Sequence, residues 1–356
     1  MKVTVDLDAQ TIGDSNYQKA SCAGGQRLEN ANGLQLVISC ISLCGVCKLF
    51  ISWLLFIAGA VWAGAAPLQV VVLHPLLADL ARQVGGERVQ VVDLVGEGGN
   101  LHRFEPRPAD LQRMQEAALV LASGKNLEPY LGRLKSALGK VVIVEVGRTI
   151  PSLMVASDVV DTCGPSHACG SAHAGPAAHG AGSLDPHWWH SVDNMRRAAR
   201  VVAQAMAAQD PADTDYFLGR ASAYSQHLDT VKRWATGELA RVPRGQRKLV
   251  TAHNAFGYFA REFGFEVIAI AGLNNEQNTT PREQAATIEA VKKSGVRAVF
   301  PERNASAKLL DSITAATGAR LGDPLIADGN GTGREAGFEA MIRHNVTAIT
   351  QALISP

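Results

Sequence analysis

Short runs of β-branched apolar residues alternate along this chain with stretches whose apolar positions recur every three or four residues. Residues 69–73 (Gln-Val-Val-Val-Leu) read as a buried parallel strand. Residues 75–84 have helical spacing and stop at Gly85-Gly86. Further strands are predicted over 89–95, 118–122 and 141–146, with a helix opening at Pro106-Arg107-Pro108 and carrying Leu111 and Met114. This order predicts a parallel sheet with helices on its faces.

A Gly-, Ala-, Ser- and His-containing stretch over 157–184 reads as a loop. A helix over 192–208 then ends at Asp210-Pro211. From 212 to 239 the spacing of Tyr216, Phe217, Ala221, Tyr224, Leu228, Val231 and Trp234 predicts one helix of about seven turns, too long for a routine crossover. It is the natural element between two lobes. Beyond it the alternation repeats. Strands are predicted over 248–252, 266–270, 298–300 and 324–327, with helices over 255–263 and 306–317 and a C-terminal helix from about 335. Another helix opens at Thr280-Pro281-Arg282-Glu283, a capping box with proline at the first helical position, and runs to Ser294-Gly295. The expected fold class is α/β: two lobes, each a mostly parallel four-stranded sheet with flanking helices, joined by the long helix. The expected boundaries are 67–210 for the first lobe, 211–240 for the linking helix and 241–356 for the second lobe.

Residues 1–66 stand apart as an N-terminal extension plus signal peptide. A polar stretch over 1–33 precedes an almost wholly apolar one over 34–66, interrupted by Lys48. Lys48, an apolar run over 49–58 and Ala63-Gly64-Ala65 follow the basic, apolar, small order of a secretory signal, with cleavage near Ala65/Ala66. A retained membrane anchor is the alternative, because the apolar stretch is long enough to span a bilayer. Val37-Ile38-Ser39-Cys40 also resembles a lipoprotein box. Cys22, Cys40, Cys44 and Cys47 lie before the expected cleavage site, which leaves Cys163 and Cys169. Two near-neighbour cysteines in an exported chain read as a small disulfide-closed loop, with a soft metal pair as the competing reading.

The 356 residues suffice for two full cores, with 47% hydrophobic and 19% charged positions. A net charge of +1 gives no support to nucleic-acid binding. The chemistry lies in four scattered segments, each placing a metal-ligating side chain in a loop: His102, His187, His253 and Asp328. His102, His253 and Asp328 fall at or just beyond the carboxyl ends of predicted strands, and His187 follows the long loop. That is where open parallel sheets bind ligands. Taken singly each has an ordinary explanation: an exposed loop histidine, a helix cap, a turn histidine, a turn aspartate before Gly329. Their shared position favours a site. Three imidazoles and one carboxylate suit a closed four-coordinate site for zinc or a similar ion.

These segments carry a family resemblance. His102-Arg103-Phe104-Glu105-Pro106 with Pro108 and Asp110, Asp185-Pro186-His187-Trp188-Trp189, the run from Thr251 to Phe259 around His253, and Ile326-Ala327-Asp328 resemble the four ligand motifs of the periplasmic zinc/manganese-binding components of ABC importers. The resemblance covers about residues 68–356. It implies two βα lobes joined by one long rigid helix, with the metal in the cleft between them and His102, His187, His253 and Asp328 as its ligands. His190-Ser191-Val192 stands where the family usually has Leu-Asp-Pro, Asn254 where it usually has Asp, and Ile326 where it usually has Tyr. Both of the first two departures adjoin ligands, and His190 is a spare donor near the site.

The expected function is an extracytoplasmic zinc receptor that delivers its ion to a membrane permease, acts as a monomer and has no enzymatic activity. His167, His173 and His179 on the long loop read as a weaker zinc-capture set. Manganese is the alternative cargo. A metallohydrolase using Glu105 or Glu302 as general base is a rival reading, but there is no His-Glu-x-x-His signature. An adhesin on the same fold would rest on a retained N-terminal anchor. The chain has no Walker motif, so ATP hydrolysis would belong to another component.

Overall fold

The computed structural model describes residues 66–96, 98–155, 183–270, 281–302, 307–329 and 331–354. The expected leader, the loop carrying Cys163, His167, Cys169, His173 and His179, and Thr280 of the expected capping box lie outside these residues.

The first sheet is built from β1 (Leu68–Val72), β2 (Val89–Asp93), β3 (Leu119–Ala122) and β4 (Ile143–Glu145), with α1 (Pro75–Gly85), α2 (Pro108–Glu116) and α3 (Leu131–Leu138) between and beside them. Its order is β2-β1-β3-β4 and every pairing is parallel. Val70 and Val72 face one core, while Val71 and Leu73 face another with Met114, Leu131 and Leu134. Burial on both faces explains why β1 lacks a polar alternation. α1 starts cleanly because His74 Nδ1 accepts from the Leu76 amide at 3.0 Å and Pro75 needs no N–H partner at the first helical position. Gly86, with φ of 52°, ends it.

A two-stranded antiparallel ladder, β5 (Met154–Val155) with β6 (Ser183–Leu184), closes the base of the long loop. The sequence assigns 183 and 184 to that loop; the ladder is too short to show a period. α4 (Val192–Gln209) and the 27-residue α5 (Thr214–Ala240) follow. α5 buries Phe217, Ala221, Tyr224, Leu228, Val231, Ala235 and Leu239, a stripe at helical spacing. It packs against α1, α4 and the C-terminal helix.

The second sheet comprises β7 (Lys248–Thr251), β8 (Glu266–Ala269), β9 (Ala298–Phe300) and β10 (Arg320–Leu321), all parallel, in the order β10-β9-β7-β8. α6 (Gly257–Phe263), α7 (Pro281–Ser294), α8 (Ala307–Thr317) and α9 (Phe338–Ile354) accompany it. The strand expected over 324–327 does not form. The fourth ladder lies earlier, at β10, and beyond it a single isolated bridge joins Leu325 to Glu302. Gly322-Asp323-Pro324 breaks the run, and proline cannot donate to a ladder. Both halves contribute to one continuous apolar core, from Val70 and Leu80 through Leu228 to Leu325 and Ile349. Among the described residues no helix is long and apolar enough to cross a membrane.

Candidate metal centre

The loop from β2 to α2 brings in His102. Asp93 Oδ1 accepts from the amides of Val95 and Gly96 at 3.1 Å each, and Asn100 Oδ1 from those of His102 and Arg103 at 2.9 and 3.2 Å. These side-chain turns shape a segment without regular structure. His187 comes from the turn after β6. Asp185 Oδ1 accepts from the His187 amide at 2.9 Å and lies 2.9 Å from its Nδ1. His253 follows β7, where the sheet order reverses, and Glu302 follows the neighbouring β9. Glu302 Oε1 accepts from the His253 amide at 2.9 Å, and Oε2 hydrogen-bonds the ring Nδ1. Asp328 closes the set from the segment beyond Leu325.

Carboxylate partners at Nδ1 of His187 and His253 fix that nitrogen as the donor and leave Nε2 with a free lone pair. His102 Nε2, His187 Nε2, His253 Nε2 and Asp328 Oδ1 are all buried without a hydrogen-bond partner. One donor atom from each of the four residues lies within 4.8 Å of the others. Asp328 Oδ1 is 3.5 Å from His102 Nε2 and 3.8 Å from His253 Nε2. The imidazole centroids are 5.1 to 5.8 Å apart. A buried polar atom without a partner is costly, and four of them grouped this closely are a candidate donor set for a metal ion. Tetrahedral zinc, with arms of about 2.0 Å, has ligand–ligand edges of about 3.3 Å, so the two Asp328 spacings are a few tenths of an ångström too open.

Burial alone would push the Asp328 carboxyl up, but contact with His102 and the charges of His253, His102 and His187 hold it well below the usual carboxylate range. Burial pushes His187 down despite the bond from Asp185. It would do the same at His253, where the Glu302 bond and charge outweigh it and raise the imidazole. The set therefore carries an ionised carboxylate and at least one imidazole that is neutral near neutral pH, both suited to a divalent cation.

Four contributors escape a reading that looks only for ligands. Asp185 sits two residues before His187 inside the quoted motif, where it was given no role of its own. Glu302 is not placed as a general base: both its oxygens are turned onto His253. Glu105, the other base considered, has a side chain 76% exposed and 3.9 Å from Arg133, away from the cluster. His74 is fully buried beside Trp189, with ring centroids 4.4 Å apart, and burial holds its pKa down at about 3. His190 does not join the four. Its Nε2 lies 2.7 Å from the Ala327 carbonyl, and its ring stacks on Phe256 at 4.4 Å.

Residues 70–352 match the family model described as zinc-uptake complex component A, periplasmic. The manganese-binding lipoprotein MntA of Bacillus subtilis is 29% identical over 293 residues, 80% of this chain and 90% of its own length. The iron-binding protein YfeA of Yersinia pestis is 26% identical over 264 residues, 74% of this chain and 78% of its own. The solved structure of the periplasmic zinc-binding protein TroA from Treponema pallidum superposes with a TM-score of 0.68 at 26% identity, covering 82% of this chain and all of TroA. The fold, the convergent donor set and the family match agree: the chain belongs to the zinc-uptake component A family, the periplasmic metal-binding receptors of ABC importers, which are solute-binding proteins and not enzymes.

Proposed function

We propose that the cargo is zinc, held by His102, His187, His253 and Asp328 and delivered to a membrane permease. The observation that carries this reading is the close grouping of three buried Nε2 atoms and one carboxylate oxygen without hydrogen-bond partners. Three imidazole nitrogens and one carboxylate favour zinc over the harder manganese ion, which prefers more oxygen. Protein groups fill all four positions of a tetrahedron, which suits carriage; catalysis would need a position for water. The names of the relatives MntA and YfeA keep manganese and iron as the competing cargoes.

In this reading the lobes are residues 67–210 and 241–356, two ligands come from each, and α5 joins them. Export through the N-terminal segment places the receptor outside the cytoplasm, where it acts as a monomer. His167, His173 and His179 supply weaker capture sites on a loop whose base leads through Leu184 and Asp185 to His187. Competition titration of wild type and His253→Ala tests the site. The variant is expected to lose zinc affinity by orders of magnitude, since it leaves an incomplete tetrahedron; unchanged affinity would overturn the assignment.

A further inference from the structure

The backbone leading to Asp328 is buried, with Ile326 fully and Ala327 almost fully out of solvent. It has left the sheet after the single bridge at Leu325. Its polar groups still need partners, and side chains provide them. Asn345 on α9 takes both groups of Ile326: its Oδ1 accepts from the amide at 2.9 Å and its Nδ2 donates to the carbonyl at 2.8 Å. The next carbonyl, of Ala327, receives two donors from the turn just before α4. Trp189 Nε1 donates at 2.8 Å and His190 Nε2 lies at 2.7 Å. A carbonyl oxygen only accepts, so His190 carries its proton on Nε2, and its buried Nδ1 has no partner.

From these contacts we infer that His190 is a positioning residue for Asp328: with Trp189 it pins the Ala327 carbonyl and so holds the Asp328 carboxylate at a fixed distance from His187. This rests on the reading of the four residues as metal ligands. His187 and His190 belong to one short turn, and Ala327 and Asp328 are adjacent. Two ligands 141 positions apart are thereby tied into one block, although among the described residues no strand pairs them. A fixed carboxylate suits a small ion with four short bonds. A loosened one accommodates a larger ion with more oxygen ligands, so His190 also sharpens zinc against manganese.

The test compares the full-length protein with His190→Leu and His190→Gln. Leucine is the residue usual at this point of the motif and keeps an apolar contact with Phe256, but it cannot donate. Glutamine keeps a side-chain N–H. Three readouts are taken: zinc affinity against a chelator, the ratio of zinc to manganese affinity, and the visible absorption of the Co²⁺-loaded protein, which reports coordination geometry. The expected result for His190→Leu is a loss of about 10-fold in zinc affinity, the low end for a group orienting a ligand. A narrower zinc-to-manganese ratio and an altered Co²⁺ spectrum should accompany it, with the thermal midpoint of the metal-free protein at pH 7 unchanged and substantial recovery in His190→Gln. Wild-type affinity and spectrum in His190→Leu would overturn the inference while leaving the site intact. Equal losses in both variants with a lowered thermal midpoint would also overturn it, since the role would then be packing. If His253→Ala binds zinc like wild type, the ligand assignment itself fails and takes this inference with it.

Discussion

Glu302 grips His253 at two points, accepting from its backbone amide at 2.9 Å and hydrogen-bonding its ring Nδ1. The two residues are 49 positions apart and meet because β7 and β9 are neighbours in the sheet. The grip fixes the rotamer and the tautomer together, so Nε2 faces Asp328 with its lone pair free. Glu302→Gln keeps the size but turns a charge-assisted bond into a neutral one. It is expected to weaken zinc binding by about 10- to 100-fold, read by chelator competition at constant pH. Glu302→Ala, which removes both contacts, should be at least as severe.

The stability of the metal-free protein should fall as pH drops below 6.5. Burial holds His74 and His190 neutral in the fold, each with its pKa lowered from 6.5 to about 3. Below 6.5 the unfolded chain takes up protons that these folded side chains refuse, and the loss continues until about pH 3. By pH 5 each should cost about 2 kcal/mol. His187 is shifted the same way. The raised His253 acts oppositely: its contribution is present below 6.5 and is lost as pH rises through its raised value. Denaturant titrations of metal-free protein at pH 7 and pH 5 check the balance, which should favour pH 7. His190→Leu removes one share and should flatten the slope.

Gly257 is required by a contact and not by its backbone angle. A Cβ there would sit 2.8 Å from Asp185 Oδ2, so the carboxylate that orients His187 would have to move. Gly257→Ala should therefore weaken zinc binding. Gly237, inside α5 with open space where its Cβ would be, is the control. Gly237→Ala should leave binding unchanged and stabilise the fold by about 0.5–1 kcal/mol. Paired calorimetric titration and thermal unfolding separate the two effects.

Much of this was legible because the informative signals were local. Buried apolar runs marked β1, β3 and β7, and sustained helical spacing marked α5 to within two residues at each end. The ligand candidates could be read because each follows a strand or sits in a dense motif. What escaped depended on distant partners. Glu302 acquires its role only when β9 lies beside β7. The segment before Asp328 looked like a strand because it is apolar and buried, yet beyond the single bridge at Leu325 its hydrogen bonds come from Asn345, Trp189 and His190. His74 stands just before the helix expected from residue 75, and nothing local indicated that it would cap that helix or that its ring would lie against Trp189.

Removing residues 164–182 should leave the tight site intact. The ladder that precedes His187 pairs Met154 with Leu184 and Val155 with Ser183, all outside the deletion. The shortened connection still has enough residues to join the two strands. Isothermal titration should show one tight zinc equivalent in both proteins and the loss of weaker equivalents in the deletion variant. Disappearance of the tight equivalent would mean that the loop supplies a ligand.

The central claim is that His102, His187, His253 and Asp328 bind one zinc ion in preference to manganese. Elemental analysis of purified protein, dialysed to equilibrium against equal concentrations of zinc and manganese, tests it most directly. The account predicts about one zinc per chain and almost no manganese, with that zinc lost in His253→Ala. Retention of manganese instead, or of zinc undiminished in the variant, would contradict it.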